Sequence, residues 1–316
     1  AAARRPGWVS AVVTLGLSSV ICGVATAPYA AAHFNRFTDY GLVANLLTVP
    51  VMGAVVMPSG AVAALLAPVG LADLPLWVME RGAAWILMIA HWVAGWEGAV
   101  TPIPAPPSGS LGLLTLGALW IILWRGWGRA LGVVPIVAAL VLWSVAARPA
   151  ILISGDGALV GVLGPDGRAL SAKRGAGFAA RNWLENDGDL VGQDKAAARA
   201  GLSGAEGERQ FLVSGVTGIA LKGRGAADRL ANACVAADIV IISALIDDPP
   251  RGCLVLDQRK LRQTGPLALH PAEGGLRVEL ARAAQRVWSP PARPTDLPDV
   301  VRPSARPKTV APIVDQ

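Results

Sequence analysis

Four long stretches without Asp, Glu, Lys or Arg, at residues 6–35, 40–72, 98–124 and 130–147, limit what the first half of this chain can fold into. A bilayer core takes about 20 apolar residues as helix, with about 17 at the lower end. Each of the four runs is long enough. The whole chain is 53% hydrophobic and only 16% charged, with a mean hydropathy of +0.49, which is too apolar for an ordinary soluble enzyme. The runs, together with the apolar stretch 76–97 that carries Glu80 and Arg81, predict membrane segments near 8–28, 42–70, 76–97, 109–124 and 131–147, four or five in number. The second contains Pro50, Pro58 and Pro68. Proline removes a backbone donor, so this segment is expected to be kinked, discontinuous or a re-entrant pair.

Composition changes near residue 149. Upstream there are seven Lys+Arg and four acids; downstream there are 21 and 18, so the net +6 divides evenly between the halves. A nucleic-acid binder concentrates its basic residues in a patch or stripe, and this mild balance does not point to one. From residue 150 the pattern becomes β-rich. ILISGDGALVGVLGPDGRAL carries hairpin turn chemistry at GDG and PDG. FAARNWLEN (178–186) and ADRLANACVAA (227–237) have helical spacing, while QFLVSGVTGIALKG, DIVIISAL, CLVLD, GPLALH and LRVEL predict strands. This half reads as a soluble α/β domain over 149–288. The Pro-rich residues 289–316 lack periodicity and are expected to form a disordered tail. The three cysteines, Cys22, Cys234 and Cys253, form no CxxC, and their odd number argues against a disulfide framework and a zinc ribbon.

The third apolar segment, WVMERGAAWILMIAHWVAGWE, allows two readings. Trp77, Arg81, Trp85, Met88, Trp92 and Trp96 share one broad helical face, and Glu80, Leu87 and His91 share another. A Trp-rich amphipathic helix of this kind lies in the headgroup region. Alternatively it crosses, with Glu80, Arg81 and His91 lining a water-filled path. Five crossings would place Arg4 and Arg5 on the same cytoplasmic side as RGWGR (125–129), and residues 149 onward outside. Four would put the two basic clusters on opposite sides.

Between the first two runs lies HFNRFTDYGLVANLLTVPVMG (33–53), which crowds His33, Asn35, Arg36 and Asp39 together and places Asn45 in the following helix. One reading is an external loop in which Asp39 pairs with Arg36 and Tyr40 and Phe37 sit at the interface. In the other, Asn35, Arg36 and Asn45 face a polar cavity, because polar groups at membrane depth are costly elsewhere. The longer string APYAAAHFNRFTDYGLVANLLTVPVMGAVVMPSG (27–60) closely resembles the signature of the ComEC competence family, and TPIPAPPSG (101–109) after a Trp-rich helix fits the same family's order. The resemblance covers residues 1–148. It implies a multi-pass protein of the bacterial cytoplasmic membrane that passes single-stranded DNA inward. Its implied partners are that DNA, membrane lipid, other competence proteins and further copies in a homo-oligomer. It also implies spans and a soluble module upstream, so the chain reads as the C-terminal part of a longer protein. Asn35, Arg36, Asn45, Glu80, Arg81 and His91 are the candidate path-lining residues.

In many members of that family the C-terminal module resembles a metallo-β-lactamase. The likeness would place Asp156 at the turn aspartate and NACVAADIVIISALIDD before the position of a histidine pair. A dinuclear zinc site needs clustered His and Asp, commonly HxHxDH. Here His270 is the one histidine after residue 148, and ISALID stands where the pair would follow. Asp156, Asp187, Asp189, Asp247 and Asp248 offer carboxylates for a hard cation, but beside Gly or Pro such residues form turns and caps. The module is therefore expected to be degenerate and non-enzymatic, with no catalytic, cofactor-binding or metal residues and no cofactor. The alternatives are a membrane-anchored nuclease of that fold, or an unrelated transporter with a binding domain. GRGAADRLANA (223–233) has glycine before a helix but lacks the phosphate-loop lysine, and is expected to be a turn and helix start. The basic cluster QRKLR (258–262) is expected to be a solvated strand edge.

Overall fold

The computed structural model describes residues 7–280 and 297–304. Arg4, Arg5 and most of the expected tail lie outside them. The chain divides into two compact units, Ala1–Ser144 and Val145–Gln316.

Unit 1 is helical. Helix α1 spans Gly7–Phe34, and α2, Gly41–Val51, continues through a π-helical turn at Met52–Val56 into α3, Met57–Leu66, and a 3-10 turn at Ala67–Val69. The expected break or re-entrant pair is not found: helical backbone runs unbroken from Gly41 to Val69. The π turn explains how. At its end the Met57 N–H reaches back five residues to the Met52 carbonyl, a widened step just before Pro58 that keeps the backbone helical. Helix α4 spans Asp73–Ala94, α5 Ser110–Leu123, and a 3-10 turn at Trp127–Gly132 leads into α6, Val133–Ser144.

Among the described residues, three helical stretches are long and apolar enough to cross a membrane: Val13–Phe34, Gly41–Val69 and Trp127–Ser144. Ser110–Leu123 is apolar but shorter, and α4 has the length but carries Asp73, Glu80 and Arg81. Helices pack here through small residues, as they do in lipid. A Cβ on Gly117 of α5 would lie 2.5 Å from the Gly132 carbonyl oxygen, and one on Gly132 2.6 Å from that of Gly117, so the two backbones cross with no room for a side chain.

Unit 2 is a four-layer stack. One sheet is six-stranded and antiparallel, built from β3 (Ile151–Ile153), β4 (Val160–Gly164), β5 (Gly167–Leu170), β10 (Leu267–Ala272), β11 (Gly275–Leu280) and β12 (Val300–Val301), in the order β12-β11-β10-β3-β4-β5. The other has the order β6-β7-β8-β9, from Glu208–Val213, Val216–Leu221, Ile239–Ile242 and Leu254–Leu256. Its β6–β7 pair is an antiparallel hairpin, and β7, β8 and β9 run parallel. Helix α9, Ala226–Ala236, links β7 to β8.

The alternation of side chains states which surface each strand faces. Ile239 and Ile241 enter a core shared with Ile151, Ile153, Val160 and Val162 of the six-stranded sheet, so the two sheets pack face to face. Val240 and Ile242 point the other way and are covered by Leu230 and Ala233 of α9. On the far side of the six-stranded sheet, Leu159 and Leu170 are covered by α7 (Gly177–Asn186), through Ala180, Trp183 and Leu184, and by α8 (Gln193–Ala196), through Ala196. The outcome is a helix–sheet–sheet–helix order.

Three expectations are corrected here. Residues 297–304 are not a structureless tail: β12 pairs with β11, Val301 joins the core, and the Ser304 N–H donates to the Asp238 carboxylate at 2.8 Å. QRKLR is helical and not a strand edge, because Asp257 caps α10 (Gln258–Thr264) by accepting from the Lys260 N–H and Leu261 is fully buried. Cys234 and Cys253 form a disulfide with Cα atoms 5.2 Å apart. The path from α9 through β8 returns the chain to the edge of α9 just before β9, and so brings the two thiols together.

Candidate functional site

Asn35 ends α1 in a left-handed conformation with φ of 55°, and its N–H donates to the Ala31 carbonyl at 2.9 Å. Asparagine adopts this region at less cost than most residues, which suits it to closing a helix. Its carbonyl accepts from the Ile103 N–H at 2.9 Å, its side-chain Nδ2 reaches the Ile103 oxygen at 3.5 Å, and the residue is only 6% exposed. The chain then forms β1, Arg36–Thr38, antiparallel to β2, Val100–Pro102. Asp39 donates its N–H to the Ala99 carbonyl and accepts from the Thr101 hydroxyl at 2.8 Å. The Tyr40 hydroxyl donates to the Glu97 carbonyl at 3.3 Å, and its ring meets Trp96 edge-on, which in turn meets Trp92.

The polar stretch and the TPIPAPPSG loop are thus one joint, at the end of the bundle where α1 and α4 finish and α2 and α5 begin. Two further bonds tie helices to this region. Trp143 of α6 donates to the Pro104 carbonyl at 2.8 Å, and the Tyr29 and Thr115 hydroxyls pair at 2.7 Å between α1 and α5. Nothing local in the sequence announces the pairing of β1 with β2, since the two strands are more than sixty residues apart.

Of the six candidate path-lining residues, the structure brings Asn35 and Arg36 together in this joint, with Arg36 Nε donating to the Phe34 carbonyl at 3.3 Å. Asn45 is exposed on α2. Glu80, Arg81 and His91 are exposed on α4; the Arg81 guanidinium lies 5.6 Å from the Trp77 ring centroid, and His91 Nδ1 lies 2.7 Å from the Leu87 carbonyl. The packing face of α4 is neither of the two considered from sequence. It is Gly82, Ile89 and Val93, with Gly82 set against Val55 and Val56 of the π turn so closely that a Cβ would come within 2.7 Å of Val56.

In unit 2 four of the five candidate carboxylates have other partners, and the fifth, Asp248, is exposed. Asp187 takes a bidentate bond from Arg168, which is fully buried on β5 and also donates to the carbonyls of Gly161 and Pro149, so the buried charge is satisfied on all sides. Asp189 pairs with Arg199 and accepts from the Val191 N–H, and Asp247 pairs with Arg259. Partial burial pushes the Asp156 carboxyl upward. The Ser154 hydroxyl, the Ala158 N–H and Lys222 together outweigh that, leaving it below the usual carboxylate range. His270 lies on β10 with Nε2 3.0 Å from a Glu279 oxygen on β11. Among the described residues, no three His, Cys, Asp or Glu side chains converge as a metal-ligand set. The residues present do not fit a dinuclear zinc centre.

No curated protein and no solved structure matches the chain. A family model described as "Competence protein" matches residues 1–128, the stretch that holds α1 to α5 and the whole of the β1–β2 joint, and it is this segment that carries the likeness to the competence family.

Proposed function

We propose that this chain is part of a multi-pass protein of the bacterial cytoplasmic membrane that passes single-stranded DNA inward during natural transformation. The observation that carries the reading is the competence-family match over residues 1–128, which coincides with apolar helices of membrane-crossing length. In this reading the helices supply a polar path for a polyanion. Arg36, Asn45, Glu80, Arg81 and His91 are its lining candidates, Asn35 holds its end in shape, and driving force and strand degradation come from other competence proteins.

Unit 2 lies on the outer face in this reading. The Cys234–Cys253 disulfide supports that side, because disulfides persist in oxidising compartments and are rare in the cytosol. The helix–sheet–sheet–helix order supports a metallo-β-lactamase-like ancestry for unit 2. A nuclease reading draws on the same layers, but it needs ligands that the described residues do not bring together. No hydrolytic step is assigned to unit 2.

Transformation frequency tests the proposal, measured in cells that carry the full-length gene, its deletion, Arg36→Ala or Asn45→Ala, with membrane levels checked by blot. Deletion is expected to abolish uptake, and each variant to lower it tenfold or more at normal membrane levels. Untouched transformation in the deletion strain would remove the DNA-uptake function and move an unrelated transporter to the front.

A further inference from the structure

Two loops of unit 2 carry the same mixture of basic residues and glycine. Lys173-Arg174-Gly175-Ala176-Gly177 leads from β5 into α7 and reaches Phe178, and Lys222-Gly223-Arg224-Gly225 leads from β7 into α9. The loops meet in space: Lys222 Nζ lies 3.4 Å from the position a Cβ would take on Gly175. Each is fastened from behind. Gln193 Nε2 donates to the carbonyls of Ala172 and Gly175 at 3.0 and 2.8 Å. Arg229 donates to the carbonyls of Lys222 and Gly225, both at 3.3 Å. The shape of the edge is therefore set by bonds that use none of the four cations at its front.

Three of those cations are available, and Lys222 is half-buried beside Asp156. Lys173, Arg174 and Arg224 are exposed, and among the described residues none of the three makes an ion pair or a side-chain hydrogen bond. Carboxylates also lie beside the edge: Asp156, which interacts with Lys222; Asp228, whose Oδ2 lies 3.4 Å from a Cβ position on Gly225; and Glu208, which is held by Arg229 at 3.1 Å, with Glu206 next to Gly207, whose carbonyl accepts from the Lys222 N–H. Lys173, Arg174 and Arg224 are the cations that these carboxylates leave unpaired among the described residues. Gly177 and Gly223 have nothing within 4 Å of a Cβ position, so the backbone between the cations is open to a ligand. Phe178 stands 87% exposed beside them.

We infer that this edge holds single-stranded nucleic acid, with Lys173, Arg174, Lys222 and Arg224 on phosphates and the Phe178 ring stacked on an unpaired base. Cations that track a backbone and an aromatic ring that stacks bases are the two elements of sequence-tolerant single-strand binding. A duplex keeps its bases from such a ring. A lipid anchor would set several large apolar side chains among the cations, and Phe178 is the one such side chain on these two loops. The inference rests on the transformation reading only for the identity of the strand as DNA.

The full chain in detergent micelles, titrated into fluorescein-labelled oligothymidine of about 20 nucleotides at about 50 and 200 mM salt, tests the site by anisotropy. The triple variant Lys173→Gln, Arg174→Gln, Arg224→Gln is expected to bind at least tenfold more weakly. It should also flatten the slope of log affinity against log salt by about 2, since each lost phosphate contact on a single strand removes about 0.7. Phe178→Ala is expected to lose roughly fivefold to a hundredfold with the slope unchanged. All four side chains are exposed, so the thermal transition should not move. Wild-type affinity and slope in both variants would overturn the inference. So would variants that keep their affinity for oligothymidine but lose binding to phosphatidylglycerol vesicles, which would make the edge a membrane contact. If the anisotropy losses appear while deletion of the gene leaves transformation intact, the edge stands as a nucleic-acid site and the uptake reading fails.

Discussion

Replacing both Cys234 and Cys253 by alanine removes a tether whose contribution can be worked from the fold. The two cysteines are 19 residues apart in sequence, and β8, an interior strand of the four-stranded sheet, lies between them. In the chain-entropy account, closing a loop of this length restricts the unfolded chain by about 3 kcal/mol. For a unit of this size, that corresponds to a transition lower by roughly 6–12 °C. Tryptophan fluorescence would mix the two units, so hydrogen exchange of peptides covering residues 238–256 is the better readout. Amides of β8 that open only with the whole unit should exchange on the order of a hundredfold faster in the double variant. The bond itself is read by maleimide–polyethylene glycol added to denatured membranes: one adduct, on Cys22, before reduction and three after it. Exchange at β8 unchanged in the double variant would refute the loop-closure reasoning. Three adducts without reduction would show the thiols free in the cell and withdraw the support for an external unit 2.

Gly117→Leu pushes a side chain into the Gly132 carbonyl and Ile136, where even a Cβ would meet atoms at 2.5 and 2.6 Å. The expected cost is about 1–3 kcal/mol or more, read as lowered thermal stability in detergent, while Gly112→Leu on the same helix, with nothing within 4 Å, should be near neutral. Equal losses at both positions would show that the α5–α6 crossing is not the cause. Asp238→Ala removes an acceptor that takes the Thr217 N–H and hydroxyl and the Ser304 N–H, each at 2.8–2.9 Å, and leaves the buried Thr217 donors unpaired at a cost of about 3 kcal/mol. Exchange at Val300 and Val301 should rise first, because Ser304 anchors that strand. If those amides keep their protection while the rest of the unit loosens, the latch has been assigned to the wrong residue.

What the sequence disclosed about unit 2 is what short-range pattern can carry. The β3–β4 and β4–β5 hairpins announce themselves through GDG and PDG turns, and IVII at 239–242 is apolar throughout because β8 is covered on both faces, by the other sheet and by α9. The disulfide left no such mark, since only the return of the chain after β8 makes neighbours of Cys234 and Cys253. Val300–Val301 is two residues long in a Pro-rich setting, too little for periodicity to register. The α10 cap was different in kind: Asp257 followed three residues later by an amide it accepts from is a local signal, and the charge of QRKLR obscured it.

The same distinction bears on the polar stretch in unit 1. A side chain that lines a path for a polyanion must leave its polar atoms to the traveller, whereas a fastening spends them. Asn35 spends its side chain on Ile103, Asp39 takes the Thr101 hydroxyl, and Tyr40 reaches Glu97. Three of the polar groups that drew attention to residues 33–40 therefore hold two loops together, and the loops in turn fix where α2 and α4 begin and end. Asn45 and Glu80 differ: both are exposed, and among the described residues neither makes a side-chain hydrogen bond. Asn45 stands one turn into the helix that the joint launches, and Glu80 two turns into α4. If a polyanion passes this unit, the joint sets the spacing of the helices, and a side chain such as Asn45 meets the strand. That ordering is why Asn45→Ala should impair uptake without affecting insertion, while Asn35→Ala should lower thermal stability in detergent by about 1–3 kcal/mol.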